Sequence, residues 1–184
     1  PRDFAILFRT NEQPRLFEME LREAKIPYVI FGGQSFFDRK EVKDIVSYLK
    51  FVDRSNDDIA LLRIINSPPR GIGSTTLQKI RNYSSEKKIS MWNAISPNSD
   101  LLPTLEPRSQ TALSSFYNTV LSLKTQMRNS FSVNSVEELL DKVRYNDEIL
   151  RLYPDEKEQT ERKGYVDEVI SAVASYLNEH PGGA

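Results

Sequence analysis

The chain has 184 residues, of which 39% are hydrophobic and 28% charged, and its formal net charge is -1. It contains no cysteine and one histidine, His180, which excludes disulfides and thiolate metal sites and argues against a serine–histidine–aspartate triad. No apolar run approaches the roughly 18 residues that a membrane span needs, so we expect a soluble intracellular protein. The start at Pro1 and the Gly-Gly tail suggest a piece excised from a longer polypeptide.

Charge is divided unevenly along the chain. Residues 34–92 carry 11 basic and 7 acidic side chains, whereas residues 134–184 carry 6 basic and 12 acidic side chains. A basic stretch of this kind indicates a surface that faces a polyanion, and the acidic stretch indicates a solvated surface. Random asymmetry on a helical surface is the plainer alternative.

The first 33 residues predict a strand, a helix and a second strand. Residues 3–8 form a short apolar run, residues 11–25 follow a helical pattern, and residues 28–31 form a second run that Gly32 and Gly33 end. This order is a βαβ unit, which is a fragment of a parallel sheet. Because two strands cannot form an independent sheet, the unit needs partners outside the chain.

Beyond Gly33 the apolar residues recur at helical spacing. Helices are predicted over residues 42–52, 57–65, 74–83, 109–127, 135–143 and 166–177, and Met91 with Trp92 is predicted to open a further short helix. Ser74 is expected to cap the third of these, and Ser135 with Glu138 to form a capping box for another. The charge-rich residues 155–163 are expected to form an exposed turn. The predicted fold is mainly α, with a short N-terminal α/β fragment.

The most informative segment runs from Arg70 to Lys79 and has the layout of a helix-hairpin-helix. Its two glycines let the backbone turn sharply and approach a ligand, and Ile72 is expected to point between the two helices. The free amides at the start of the second helix, with the neighbouring hydroxyls and basic side chains, favour a backbone phosphate. The candidate duplex-binding residues are Arg70, Gly71, Ile72, Gly73, Ser74, Thr75, Thr76 and Lys79. The alternative is an ordinary turn between packed helices.

A second polar segment follows the first predicted strand and consists of Arg9, Thr10 and Asn11. Ligands of open α/β sheets approach the carboxyl ends of strands, so these side chains are candidates for holding a phosphate of single-stranded DNA. The alternative is a helix cap beside an exposed arginine. No Gly-x-x-x-x-Gly-Lys-Ser/Thr occurs, so we predict no P-loop, and we predict no catalytic residue, cofactor-binding residue or metal ligand in this chain.

Several of these segments together resemble a known family. Residues 4–11, 27–33, 36–39, 41–44, 48–49 and 66–73 are similar, in order and spacing, to the C-terminal half of UvrD/Rep-type superfamily 1 DNA helicases. The resemblance covers about the first 95 residues. It implies that residues 1–33 belong to the RecA-like motor domain 2A and residues 34–184 to the helical accessory domain 2B. Tyr165 stands where relatives usually have asparagine, and no role is transferred to residues 93–184.

The resemblance also implies a function. The parent protein would be an ATP-dependent DNA helicase, usually moving 3′ to 5′, whose ATP and magnesium sites lie outside this chain, so the chain alone would have no ATPase activity. The Gly-Ile-Gly segment would contact duplex DNA, and Arg9, Thr10 and Asn11 would lie near the single-strand track. The expected partners are DNA and the remaining helicase domains, in the cytoplasm and associated with the nucleoid.

Two other functions fit parts of the sequence. The acidic second half suits a regulatory or protein-interaction module that binds a regulatory protein and controls the motor by rigid rotation. A helix-hairpin-helix also occurs in base-excision glycosylases, but no lysine directly follows Gly73, and Asp100 lies in a proline-rich loop, so the nucleophile of that chemistry is missing.

Overall fold

The computed structural model describes residues 4–9 and 13–180. The chain divides into two compact units, Pro1–Lys43 and Asp44–Ala184. The helices in the described residues are α1 (Pro14–Glu23), α2 (Lys40–Asp53), α3 (Asp58–Ile64), α4 (Ser74–Lys87), α5 (Met91–Ala94), α6 (Pro107–Asn129), α7 (Val133–Val143), α8 (Tyr145–Leu152) and α9 (Glu156–Glu179). Short 3-10 helices occupy Phe36–Asp38 and Leu102–Thr104. The prediction of a mainly α chain is therefore confirmed.

Within the first unit only the helix of the predicted βαβ fragment is present. Pro14 begins α1, a position where a proline costs no hydrogen bond. Neither of the two predicted strands occurs in the described residues, since residues 4–8 and 28–31 carry no strand. A strand exists only through a ladder to a neighbour, and two isolated segments do not supply a stable one.

Glu18 organises the first unit. Its carboxylate is 2% exposed and accepts hydrogen bonds from the hydroxyl of Tyr28 at 2.9 Å and from the backbone N–H of Phe36 at 3.2 Å. The hydroxyl of Ser35 donates to the same carboxylate. These bonds join α1 to the segment that leads into the 3-10 helix, and they give a buried charge the partners it needs.

The core of the second unit surrounds Trp92, on the short helix α5. Its ring stacks on Tyr117 of α6 with centroids 4.1 Å apart, and it meets Phe51 of α2 edge-on at 5.3 Å and Phe116 of α6 edge-on at 6.5 Å. Helix α5 also contacts α3 and α4, while α7 contacts α6, α8 and α9. One buried apolar cluster thus holds α2 to α8 together. Among the described residues, no helix has both the length and the apolar character of a membrane span.

Two helix caps differ from the sequence prediction. The N-cap of α4 is Gly73 instead of Ser74, so the first turn has no side-chain cap. Helix α7 begins before the predicted start, and its capping box joins Ser132 and Ser135, without Glu138. Both serines bond each other's backbone N–H, which satisfies two amides at the start of α7.

The prediction of an exposed turn over residues 155–163 is wrong. The side chain of Asp155 accepts hydrogen bonds from the amides of Lys157 and Glu158, both at 3.0 Å, and thereby caps α9. The acidic side chains in the first turn of α9 interact favourably with the positive end of the helix dipole. Residues 156–163 are rich in charge because the start of α9 is largely exposed to solvent. They are helical because Asp155 caps the helix just before them.

Candidate nucleic-acid interface

A tight loop of residues 65–73 joins α3 to α4 within the second unit. Gly71 has a φ of +75°, a conformation that glycine adopts far more easily than other residues. Ile72 is 3% exposed and belongs to the apolar core, as the sequence predicted. The backbone therefore turns at Gly71, the buried Ile72 side chain anchors the loop in the core, and α4 begins directly after Gly73.

Asn66 closes this loop with its side chain. Its Oδ1 accepts hydrogen bonds from the amides of Arg70 and Ile72, both at 3.3 Å, and its Nδ2 donates to the carbonyl of Ile72 at 2.6 Å. This role of Asn66 was not predicted from the sequence. The sequence did contain a sign of this role. Asn66 stands at the start of a proline- and glycine-rich turn, where an asparagine side chain can form the hydrogen bonds that the backbone would otherwise form.

The guanidinium of Arg70 lies within the loop. Its Nη1 donates to three backbone carbonyls, those of Ile64 at 2.8 Å, Ile65 at 3.1 Å and Pro68 at 3.1 Å. Its Nη2 donates to the hydroxyl of Tyr48 at 2.7 Å, and the group lies 4.9 Å from the ring centroid of Phe116. A cation is favourable here because the carbonyls at the end of α3 have no helical partner. Arg70 was predicted to supply charge to a phosphate, yet its donors point inward.

Tyr48 connects Arg70 to the rest of the loop. Its hydroxyl donates to the carbonyl of Ser67 at 2.7 Å, while accepting from Arg70. Burial raises the pKa of Tyr48, and the nearby guanidinium of Arg70 opposes this rise. The neutral phenol is therefore the form that the folded loop requires.

The carboxylate of Asp44 links the loop to the surrounding helices. Its carboxylate is buried, with Oδ2 accepting from the hydroxyls of Ser67 at 3.0 Å and Tyr145 at 2.8 Å. Oδ1 lies 2.8 Å from Nε of Arg63. One buried carboxylate thus joins α2, α3, the loop and α8, and it keeps the loop in a single conformation.

The outer side of the loop presents unused donors. Gly73, Ser74 and Thr75 are exposed, and no hydrogen bond to their amides occurs within residues 4–9 and 13–180. The first turn of α4 has no acidic side chain. Lys79 is exposed and lies one turn beyond Thr75, on the same side of α4. These groups form a positive, preorganised surface suited to an anion.

Thr76 differs from its neighbours. Its hydroxyl lies 3.1 Å from the hydroxyl of Ser109, in the first turn of α6, and Ser109 is buried. The predicted set of eight residues therefore divides by position. Arg70, Ile72 and Thr76 face the protein, whereas Gly71, Gly73, Ser74, Thr75 and Lys79 face solvent.

Comparison with known proteins supplies the context for this loop. The family model described as the UvrD-like helicase C-terminal domain matches residues 1–179. The chain belongs to this family. The ATP-dependent DNA helicases PcrA of Staphylococcus aureus and Staphylococcus epidermidis are each 37% identical to it over 179 residues, which is 97% of this chain and 24% of each relative. The chain therefore spans about a quarter of the length of these curated relatives.

Membership of the UvrD-like family confirms the resemblance drawn from the sequence and extends it. The resemblance was placed on about the first 95 residues, whereas the family match continues to residue 179. Helices α6 to α9 thus belong to the same family domain as the loop between α3 and α4.

The second candidate segment of this UvrD-like chain is described only in part. Arg9 is exposed, and its backbone N–H donates to Oε1 of Gln13 at 2.7 Å. Thr10 and Asn11 lie outside the described residues, and so does the predicted cap at Asn11. The structure thus leaves the Arg9 side chain in solvent, in the first unit.

Proposed function

We propose that this chain is the part of an ATP-dependent, 3′ to 5′ DNA helicase that holds duplex DNA through residues 70–79, at the end of the loop and the start of α4. The observation that carries the proposal is the set of free amides at Gly73, Ser74 and Thr75, exposed on a loop that internal hydrogen bonds keep rigid. Membership of the UvrD-like family supports DNA as the anion.

The chemistry is that of a backbone grip. Phosphate oxygens accept hydrogen bonds from the amides at the start of α4, and Lys79 adds a charge on the same face. Hydrogen bonds to a charged acceptor are stronger than neutral ones, and no loop ordering accompanies binding because the loop is already fixed. Amides read no base edges, so the grip is independent of sequence, as a protein that moves along DNA needs.

The remaining functions belong to the whole protein. We propose that ATP and magnesium bind to residues outside this chain, and that residues 1–33 join the 2A motor domain while residues 34–184 form the 2B accessory domain. The first unit leaves Phe4, Leu7 and Phe31 more than 80% exposed, which is the surface expected where further protein packs. Arg9, with Thr10 and Asn11, would then face single-stranded DNA, and the parent protein would act in the cytoplasm at the nucleoid.

Salt titration of duplex binding tests the proposal. The parent polypeptide is titrated with a labelled blunt duplex of about 20 base pairs in roughly 50 to 200 mM salt, and anisotropy gives the slope of log K against log salt. Lys79→Ala should reduce that slope by about 0.9, the value for one phosphate contact. Lys157→Ala, an exposed lysine at the start of α9, removes the same charge and should leave the slope unchanged. Equal slopes for both variants would contradict the proposal.

A second candidate function rests on α9. Its exposed side chains include Glu156, Glu158, Glu161, Asp167 and Glu179, which make an acidic surface suited to a basic protein partner. We therefore propose a regulatory contact as the alternative role. Charge reversal at Glu158 and Glu161 should abolish capture of such a partner while duplex affinity stays unchanged. Loss of duplex affinity in the same variant would exclude this alternative.

A further inference from the structure

Arg108, in the first turn of α6, lies against the hairpin. A Cβ placed on Gly71 would be 3.4 Å from Nη2 and 3.5 Å from Nε of Arg108, so the guanidinium lies beside the open side of that glycine. Arg108 is exposed, and within the described part of the chain its side chain has no hydrogen bond or ion pair. It is a cation at the edge of the loop without a counter-charge.

The position of Arg108 is set by its neighbours. The hydroxyl pair of Thr76 and Ser109 joins the first turn of α4 to the first turn of α6. Ser109 is 6% exposed, so this joint is inside the protein. Glu106, the N-cap residue of α6, is exposed and forms no ion pair with Arg108 among the residues described. The backbone at Arg108 is thus fixed beside the loop while the guanidinium stays available.

The loop itself lacks an arginine that a phosphate could reach. Arg70 directs Nη1 to three carbonyls and Nη2 to Tyr48, so its withdrawal toward a phosphate would break these four hydrogen bonds. A guanidinium holds a phosphate with two parallel N–H···O bonds, which a lysine cannot do. A Cβ at Gly71 would lie in van der Waals contact with the guanidinium of Arg108, so this group sits directly beside the turn.

We propose that Arg108 is a further phosphate-binding residue of the duplex interface, and that Arg70 is a positioning residue that holds the loop. This inference rests on the proposed function, since it assumes that the hairpin binds duplex DNA. The duplex contact is then composite. Helix α4 supplies amides and Lys79, and α6 supplies a guanidinium beside Gly71.

The experiment compares two arginines of one helix in the full-length parent polypeptide. Arg108→Ala removes the guanidinium at the loop, and Arg128→Ala removes an exposed guanidinium about 30 Å further along α6. The same labelled duplex of about 20 base pairs is titrated in roughly 50 to 200 mM salt. Arg108→Ala should weaken binding about fivefold at low salt and reduce the salt slope by about 0.9, and Arg128→Ala should change neither.

The two claims fail in different ways. If Gly73→Ala and Lys79→Ala weaken duplex binding but Arg108→Ala matches Arg128→Ala, the assignment of Arg108 is wrong and the hairpin proposal stands. If none of the hairpin variants affects binding, the proposed function fails and the inference fails with it. Arg70→Lys separates positioning from contact, because it should lower the thermal midpoint and affinity without reducing the salt slope. A reduced slope in that variant would overturn the division between the two arginines.

Discussion

At the scale of single residues, the two glycines of the hairpin have different tasks. Gly71 has a φ of +75°, which only glycine adopts without strain, and the guanidinium of Arg108 lies beside its open side. Gly73 has ordinary values, with φ of -71° and ψ of 163°, and a Cβ there would meet nothing within 4 Å. Gly71 is therefore needed for folding, and Gly73 for access to the amides.

Alanine substitution separates these tasks. Gly71→Ala should lower the free energy of unfolding by about 1–2 kcal/mol, because alanine is strained in the left-handed region. Gly73→Ala should leave it unchanged within about 0.5 kcal/mol, since poorer capping and reduced unfolded-state entropy offset each other. Its methyl group should nevertheless weaken duplex binding by crowding the amides. Urea unfolding and anisotropy measure both quantities, and a stable Gly73→Ala variant with full duplex affinity would contradict the account.

The buried phenol of Tyr48 should make the folded state less stable at alkaline pH. Because burial raises its pKa above the ordinary 10.0, the folded state keeps the proton longer than the unfolded state does. This contribution is complete below pH 10 and disappears as the pH rises through the folded-state pKa. Tyr48→Phe should cost about 1–3 kcal/mol at pH 7, because Arg70 and the Ser67 carbonyl lose a partner.

The measurement for Tyr48 is urea unfolding of the wild type and Tyr48→Phe between about pH 8 and pH 11. The difference between the two proteins should shrink as the pH rises above 10. A constant difference over that range would show that the ionisation of Tyr48 is not coupled to folding.

At the scale of elements, Asp44 is the point where α2, α3, the loop and α8 meet. Asp44→Ala removes the carboxylate that accepts from the hydroxyls of Ser67 and Tyr145 and pairs with Arg63, whose side chain is only 35% exposed. We expect a loss of about 3 kcal/mol in the free energy of unfolding. Asp53→Ala, an exposed carboxylate at the end of the same helix, should change it by less than about 0.5 kcal/mol. Comparable losses in thermal or urea unfolding would contradict this role of Asp44.

The sequence predicted most helices because their apolar stripes face a shared core. Helices α2, α3 and α6 begin and end within a few residues of the prediction, and the side chain of Asp57 caps α3. Helix α8 was missed because it has only 8 residues, and Glu148 on its buried side interrupts the apolar pattern. The predicted strands depend on partners, which no local pattern contains.

Only the part of the candidate site that depends on neighbouring residues in the chain could be predicted from the sequence. Glycine spacing located the loop, the buried Ile72 and the free amides. The sequence could not show that the Arg70 guanidinium turns inward. Its partners are backbone carbonyls at the end of α3 and in the loop, and their positions depend on the folded loop. Nor could the sequence show Arg108, which lies far along the chain and reaches Gly71 only through the packing of α6 on the core.

At the scale of the whole molecule, charge limits the way DNA can be held. The net charge is -1, so long-range attraction to a polyanion is absent, and residues 134–184 carry twice as many acidic as basic side chains. If the chain binds duplex DNA as we propose, the binding comes from a local arrangement of amides and cations. The chain spans about a quarter of the length of its PcrA relatives, so the proposed duplex contact would be one of several in the parent protein.

The central claim is that duplex DNA meets the amides at the start of α4. Amide chemical shifts of the 21.2 kDa chain, followed while a duplex of about 20 base pairs is added at low salt, address those atoms directly. We expect Gly73, Ser74 and Thr75 to shift most, in a saturable manner and without dependence on base sequence. Saturable duplex binding with these three amides unmoved would contradict the account.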